Sequence, residues 1–172
     1  ATGGSWTACR QKAWQGLEKL VQEGYARFIG VSNFDVKHLE PLVQWDQRKY
    51  PIYANQIEFG MFRTPEWERV KHYNAQHGIR TMAFGVLGGL KRERLIAHDL
   101  VKKATESFNA TAEDVMFQWA MNEGVTVLQG SKRKVHMDQF LKLKPNSQKL
   151  LPMDIPVDER TKCYEPDAVD YE

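Results

Sequence analysis

Residues 27–34 read RFIGVSNF. An apolar run passes through Ile29 and Gly30 to Val31, then breaks to Ser32, Asn33 and Phe34, and a helical pattern starts just after. A short apolar run bounded by a turn signal suits a fully buried strand over 27–31. Such a strand ending in two small hydrogen-bonding side chains raises the question of whether other strands in the chain end in a similar way.

Outward from this stretch, helices and strands alternate. Ala13, Trp14, Leu17, Leu20 and Val21 recur at helical spacing before it, and Gly24 supplies a stop. Leu39, Leu42, Val43 and Trp45 predict a second helix, ended by Lys49, Tyr50 and Pro51. IYANQIEF at 52–59 is the next strand. Thr64, Pro65 and Glu66 read as a helix start: an N-cap, a proline in the first turn and an acidic residue facing the dipole. That helix runs to Gly78, and a third strand covers 79–86. One helical stretch is expected over 91–108, and Thr111 with Asp114 predicts a capping box for the helix after it. VTVL at 125–128 is a fourth strand, and 135–143 a last helix. Strands alternating with helices across short loops imply a parallel sheet with right-handed crossovers. An open doubly wound sheet and part of a (β/α)8 barrel both fit.

Composition sets the class. The 172 residues suffice for one core, 42% are hydrophobic and 27% charged, and the net charge is +2, far from the basic balance of a dedicated nucleic-acid binder. The charge is uneven: residues 152–172 hold seven acidic and two basic side chains, a balance of −5, which leaves +7 on the remainder. The expected reading is a solvated acidic tail. Cys9 and Cys163 have no metal-ligand spacing and suit reduced thiols, and no metal site is expected. No apolar run approaches a membrane span, and no signal-peptide pattern opens the chain. The first residue is Ala1, which suits a processed or trimmed start, or part of something longer.

In either architecture a ligand sits at the carboxyl ends of the strands. Those ends read Ser32-Asn33, then Gln56 with Glu58, then Phe84-Gly85, then Gly130-Ser131. Asn55 and Gln56 are unusual inside an apolar strand, because a buried amide without a partner costs roughly 1–3 kcal/mol. They either bond neighbouring loops or contact a ligand.

These residues, taken together, resemble the aldo-keto reductases. AWQGLEKLVQEGYARFIGVSNFDVKHLEPLV is similar to the family's W-x-x-L-E-x-L helix followed by a G-V-S-N-F strand end. NQIEF, HGIRTMAFGVLGGL and ATAEDVMFQWAMNEGVTVLQGSK resemble three further family segments in the right order, so the resemblance spans residues 11 to about 143. It implies an α/β fold, a parallel (β/α) half barrel corresponding to the last four strands of a (β/α)8 TIM barrel. Residues 1–10 would then be a loop, 11–144 the half barrel and 145–172 an extended acidic tail.

The resemblance also implies NADP or NAD as cofactor and reduction of a carbonyl to an alcohol. By the same resemblance Ser32, Asn33 and Gln56 would hydrogen-bond the nicotinamide carboxamide, Phe84 would stack on its ring, and Leu87 would keep an apolar wall. Ser131 falls at the adenosine-phosphate end, where His136 stands in place of the family's Arg, and Gln139 and Phe140 in place of its Glu and Asn. Lys132, Arg133 and Lys134 could meet a phosphate or form a solvated basic turn, of which the turn is the expected reading, and the five histidines, mostly on helices, are expected to be solvated.

A complete barrel takes roughly 200 residues or more. The family's Asp, Tyr, Lys and His tetrad belongs to its first half, and nothing here matches it, so no catalytic residue is assigned. A half barrel exposes two sheet edges and an apolar interior face. Its expected partners are therefore the missing amino-terminal half or other protein subunits that cover those edges. Two functions follow: an oxidoreductase inactive without the rest of the barrel, or a non-catalytic structural subunit of a larger complex. A free-standing Rossmann module is disfavoured, since no G-x-G-x-x-G opens a helix. A cytoplasmic location is expected, or a mitochondrial one if Ala1 is a processed start.

Overall fold

The computed structural model describes residues 6–62 and 65–143. In chain order the elements are α1 (Trp6–Gln22), β1 (Val31–Ser32), α2 (Val36–Val43), β2 (Ala54–Glu58), α3 (Pro65–Gln76), β3 (Arg80–Phe84), a 3-10 turn (Gly89–Lys91), α4 (Arg92–Ile96), α5 (Asp99–Phe108), α6 (Ala112–Asn122), β4 (Thr126–Val127) and α7 (Lys134–Lys142). The strands are ordered β1-β2-β3-β4, and β1 pairs parallel with β2 in the register Val31↔Asn55 and Ser32↔Gln56. This is the α/β fold with a parallel sheet that the alternation implied. The expected Thr64 N-cap, the acidic tail and Cys163 lie outside the described residues.

The chain divides into two compact units, one of residues 1–57 and 69–82, the other of residues 58–68 and 83–172. In the first, α1 packs on α2 around buried Trp14, Leu39, Leu42, Ile52 and Ile57. Helix α1 begins at Trp6, so residues 6–10 are helical rather than loop. Ala8, Arg10, Gln11 and Lys12 favour helix and extend the amphipathic pattern upstream. It ends where Tyr25 N–H reaches Leu20 O at 2.9 Å, with Gly24 left-handed at φ 80°.

The stretch 27–31 is not a fully buried strand. Regular pairing is limited to Val31–Ser32, and Phe28 is 60% exposed, stacked on Tyr53 with ring centroids 4.2 Å apart. The strand lies at the edge of the sheet order, so one side of its ladder has no neighbour among the described residues. Ile29 alone turns fully inward, and its carbonyl accepts Tyr53 N–H at 2.9 Å. Gly30 is required by close approach, since a Cβ there would stand 2.5 Å from Ala54 O.

Helix α2 stops at Val43, before the expected Lys49 boundary. The loop beyond is pinned by Glu18 of α1, whose Oε1 accepts Lys49 N–H at 2.6 Å, Tyr50 N–H at 3.1 Å and Trp14 Nε1–H at 3.1 Å. Glu18 is 4% exposed, and those three donors are what make a carboxylate tolerable there.

In the second unit α5 packs on α6 and α6 against β4, around Phe59, Met61, Val101, Val115, Met116 and Trp119. Phe59 and Trp119 stack at 5.7 Å. The single helix expected over 91–108 is broken into a 3-10 turn, α4 and α5. His98 causes the break: its backbone is extended, and its Nδ1 accepts Leu100 N–H at 3.3 Å as the N-cap of α5. Its ring packs on Phe62 at 4.7 Å. The capping box at Thr111 and Asp114 forms as expected.

Candidate functional site

The carboxyl end of β1 is built by hydrogen bonds that the sequence spaces far apart. Asn33 N–H donates to Gln56 O at 2.8 Å, and Ser32 Oγ donates to the same carbonyl at 3.3 Å. Asn55 is completely buried and binds the Phe34 peptide at both its carbonyl and its N–H. Of the two readings open for Asn55, the loop-bonding one is the observed one. Asp35 then caps α2, its carboxylate accepting Val36 N–H at 2.6 Å, while His38 Nδ1 accepts Asp35 N–H at 3.2 Å. Arg69 Nη2 lies 3.4 Å from Asp35 Oδ1, and the Arg10 guanidinium sits 5.8 Å over the Phe34 ring.

Within this frame Asn33 takes the left-handed conformation at φ 58°, which Asn tolerates better than most residues. Ser32 and Asn33 are exposed and Gln56 is half-buried. No hydrogen bond among the described residues engages the side-chain amides of Asn33 and Gln56, each of which offers one acceptor and two donor hydrogens.

His38 is not a solvated histidine. Burial holds its pKa below the ordinary value, Arg10 and Lys37 push the same way, and Asp35 opposes them. A neutral ring is also what accepting the Asp35 N–H requires.

The second unit holds Phe84, Leu87 and Ser131. Phe84 is half-buried at the end of β3, and its carbonyl accepts Phe59 N–H at 3.1 Å. Leu87 and Ser131 line a cavity of about 530 Å³ together with Arg92, Glu113, Asp114, Phe117, Arg133, His136 and Phe140. Phe117 and Phe140 meet edge to face at 5.1 Å. Arg92 pairs with Glu113 and with Glu93. Ser131 Oγ accepts Arg133 N–H at 3.1 Å, donates to Arg133 O at 3.3 Å, and lies 3.4 Å from His136 Nδ1.

The basic turn is solvent-facing as expected, with Lys132, Arg133 and Lys134 all exposed. Lys134 pairs with Asp138 at 2.6 Å on the surface, and the exposed Arg133 also borders the cavity. The sequence did not reveal Arg92 and Glu113 as partners, because they stand 21 residues apart in different helices. The capping box was the one local signal that placed Glu113 and Asp114 in the first turn of a helix. Among the described residues no group of three His, Cys, Asp or Glu stands ready for a metal, and no helix is long and apolar enough to cross a membrane.

The Aldo/keto reductase family model matches residues 5–146. The (1S)-1,7-diacetoxy-luvungin A aldo-keto reductase of Citrus sinensis is 31% identical over 134 residues, covering 74% of this chain and 40% of that protein. The NAD(P)H-dependent D-xylose reductase of Kluyveromyces lactis is 28% identical over 141 residues, covering 76% of this chain and 42% of that one. The chain therefore spans about two fifths of the length of these curated relatives. Among solved structures, an aldo-keto reductase enzyme from a Medee basin deep-sea metagenome library has the same fold, with a TM-score of 0.78 at 21% identity, over 98% of this chain and 62% of that one. With the family model matching residues 5–146, the chain belongs to the Aldo/keto reductase family.

Proposed function

We propose that this chain is the cofactor-holding, carboxyl-terminal portion of an NAD(P)H-dependent carbonyl reductase, its four strands forming half of a (β/α)8 barrel. The observation that supports this most directly is the end of β1, where the backbone is tied down and no hydrogen bond among the described residues engages the amides of Asn33 and Gln56. A nicotinamide carboxamide presents one acceptor and one donor group, and two free primary amides with a serine hydroxyl match it. The residues present therefore fit the group. Ser32, Asn33 and Gln56 would hold the carboxamide, Phe84 and Leu87 would supply apolar surface for the ring, and Ser131 would stand at the adenosine end.

The cofactor, when bound, supplies hydride chemistry. This chain's own contribution is to bind and orient it. Proton donation to the reduced carbonyl is left to residues outside the chain, either in the amino-terminal half of the barrel or in another subunit that covers the sheet edges. The Kluyveromyces relative is named as NAD(P)H-dependent, which agrees with this reading. A cytoplasmic setting suits it.

The test is to express the chain together with the coding sequence that flanks it, and to measure nucleotide binding and carbonyl-dependent nucleotide oxidation. Binding with turnover is the expected result, and neither activity in an intact product refutes the reading. A second reading, a non-catalytic subunit, is favoured by one observation: Phe28 at 60% and Tyr25 at 80% exposure leave aromatic surface uncovered. A stable monomer with no dye-binding apolar surface would count against it.

A further inference from the structure

Three consecutive backbone N–H groups run through the turn from β1 into α2, and each has a partner. Asn33 N–H donates to Gln56 O at 2.8 Å, Phe34 N–H to Asn55 Oδ1 at 3.4 Å, and Asp35 N–H to His38 Nδ1 at 3.2 Å. The first two acceptors are amide oxygens of β2, which do not titrate. The third belongs to an imidazole, half-buried in the first turn of α2. His38 stands at the third position of a capping box, where Glu or Gln is the usual side chain. Its ring also meets the Phe34 ring edge-on at 5.8 Å, on a residue that Arg10 covers at 5.8 Å. The imidazole thus holds the turn at two points, the Asp35 N–H and the Phe34 ring.

A neutral imidazole accepts at Nδ1, whereas an imidazolium carries hydrogen on both nitrogens and cannot. Protonation therefore sets donor against donor at Asp35 N–H. The charged groups that face the ring are Arg10 from α1, Lys37 on α2 and Asp35 at its cap, and Thr7 and Gln11 of α1 are uncharged neighbours. Of these Asp35 alone attracts an imidazolium. Its carboxylate already accepts Val36 N–H at 2.6 Å and lies 3.4 Å from Arg69 Nη2. A protonated His38 must leave the Asp35 N–H and compete for that carboxylate, and the turn loses one of its three backbone anchors. Resting on the reading that the end of β1 holds a nicotinamide carboxamide, we propose that His38 is a positioning residue for that site: its neutral ring holds the turn that presents the Asn33 amide, and protonation loosens the turn and weakens nucleotide binding. Nucleotide and proton then oppose one another, each lowering the affinity for the other by the same factor. Burial, with Arg10 and Lys37, already keeps the ring neutral, so binding is at full strength above about pH 6.5 and falls as pH drops through the folded-state value.

The experiment titrates NAD+ and NADP+ calorimetrically at pH 8 and pH 5 into the product of the chain with its flanking coding sequence, as parent and as His38→Gln. Gln keeps an acceptor at the capping-box position and does not titrate. Between the two pH values the affinity of the parent is expected to fall at least about threefold further than that of the variant, the effect of losing one hydrogen bond. Titration of the nucleotide's own phosphate is common to both proteins and cancels. Equal falls in the two overturn the role of His38 while leaving the nucleotide-binding reading intact. A second measurement, on the unaltered protein, does not depend on the variant folding. The imidazole NMR signals are followed from pH 8 to pH 5 with and without NAD+, and one histidine is expected to take up its proton at lower pH when the nucleotide is bound. A His38 that only stabilises the fold leaves that titration unmoved, and this outcome overturns the proposal. Binding of neither nucleotide at pH 8 overturns the reading of the β1 end and the role of His38 with it.

Discussion

Asn55 grips the Phe34 peptide from both sides: its Nδ2 donates to Phe34 O at 2.8 Å, and its Oδ1 accepts Phe34 N–H at 3.4 Å. One fully buried amide in β2 thereby fixes the chain just past Asn33, in the turn that leads to α2. Replacing it with a side chain of the same branching and no polar group, Asn55→Leu, strands both Phe34 groups. The expected cost is about 2–3 kcal/mol, from two lost bonds and two unsatisfied backbone groups. Urea unfolding of the chain and its variant measures it, and a loss under about 0.5 kcal/mol would show that the clamp holds nothing.

Glu18 works by the same logic elsewhere in the first unit. Its Oε1 alone accepts three N–H groups, from Trp14, Lys49 and Tyr50. Glu18→Leu leaves all three donors without their acceptor and is expected to cost about 3 kcal/mol. Glu18→Gln keeps a carbonyl oxygen in place and is expected to cost about half as much. The indole N–H resonance of Trp14 reports the site directly, because that N–H is one of the donors. Equal losses in the two variants would mean that packing of the side chain, not its acceptor, matters.

Much of this was legible in the sequence, and the reasons differ from residue to residue. The alternation of helices and strands, the Thr111–Asp114 box and the stop at Gly24 rest on local chemistry, which a sequence displays. The buried amide at Asn55 was visible as an anomaly, but its partner Phe34 lies 21 residues upstream, and only the parallel register Val31↔Asn55 brings them together. The break at His98 was hidden because the apolar spacing of 91–108 continues on both sides of it. A histidine acting as an N-cap is outvoted in any periodicity count. The exposure of Phe28 could not be read from an apolar run, since the run says nothing of which strand lies at the edge. Ser32, Asn33 and Phe84 are legible as the ends of strands, whereas the pairing of Arg92 with Glu113 needs α4 to come near α6.

His38 gives the first unit a pH dependence whose sign can be stated. Burial, then Arg10 and Lys37, hold its pKa below the ordinary 6.5, with Asp35 opposing. As pH falls below that ordinary value the unfolded chain takes up the proton first, so stability drops. The contribution is complete above about pH 6.5 and is lost as pH falls through the folded-state value. Protonation also abolishes the acceptor for Asp35 N–H, opening the capping box of α2. His38→Gln retains an acceptor and removes the titration. Its melting temperature is expected to fall less between pH 8 and pH 5 than that of the parent chain. Parallel melting curves across that range would rule His38 out as the sensor.

Asn33 separates backbone strain from ligand contact. Its φ of 58° costs any residue with a Cβ roughly 1–2 kcal/mol, less for Asn, and nothing for Gly. Asn33→Gly is therefore expected to leave stability within about 0.5 kcal/mol of the parent, because the Asn33 N–H to Gln56 O bond survives. It deletes the exposed amide, however, and one hydrogen bond to a carboxamide is worth about 1 kcal/mol, so nicotinamide-nucleotide affinity is expected to fall five- to tenfold, roughly. Asn33→Val does the reverse to the backbone, forcing a β-branched side chain into the left-handed region at a cost of about 1–2 kcal/mol. Urea unfolding and nucleotide titration on the same two variants give four numbers. If Asn33→Gly keeps full affinity, the amide does not touch the cofactor, and the left-handed turn at the end of β1 is there for the chain reversal into α2 alone.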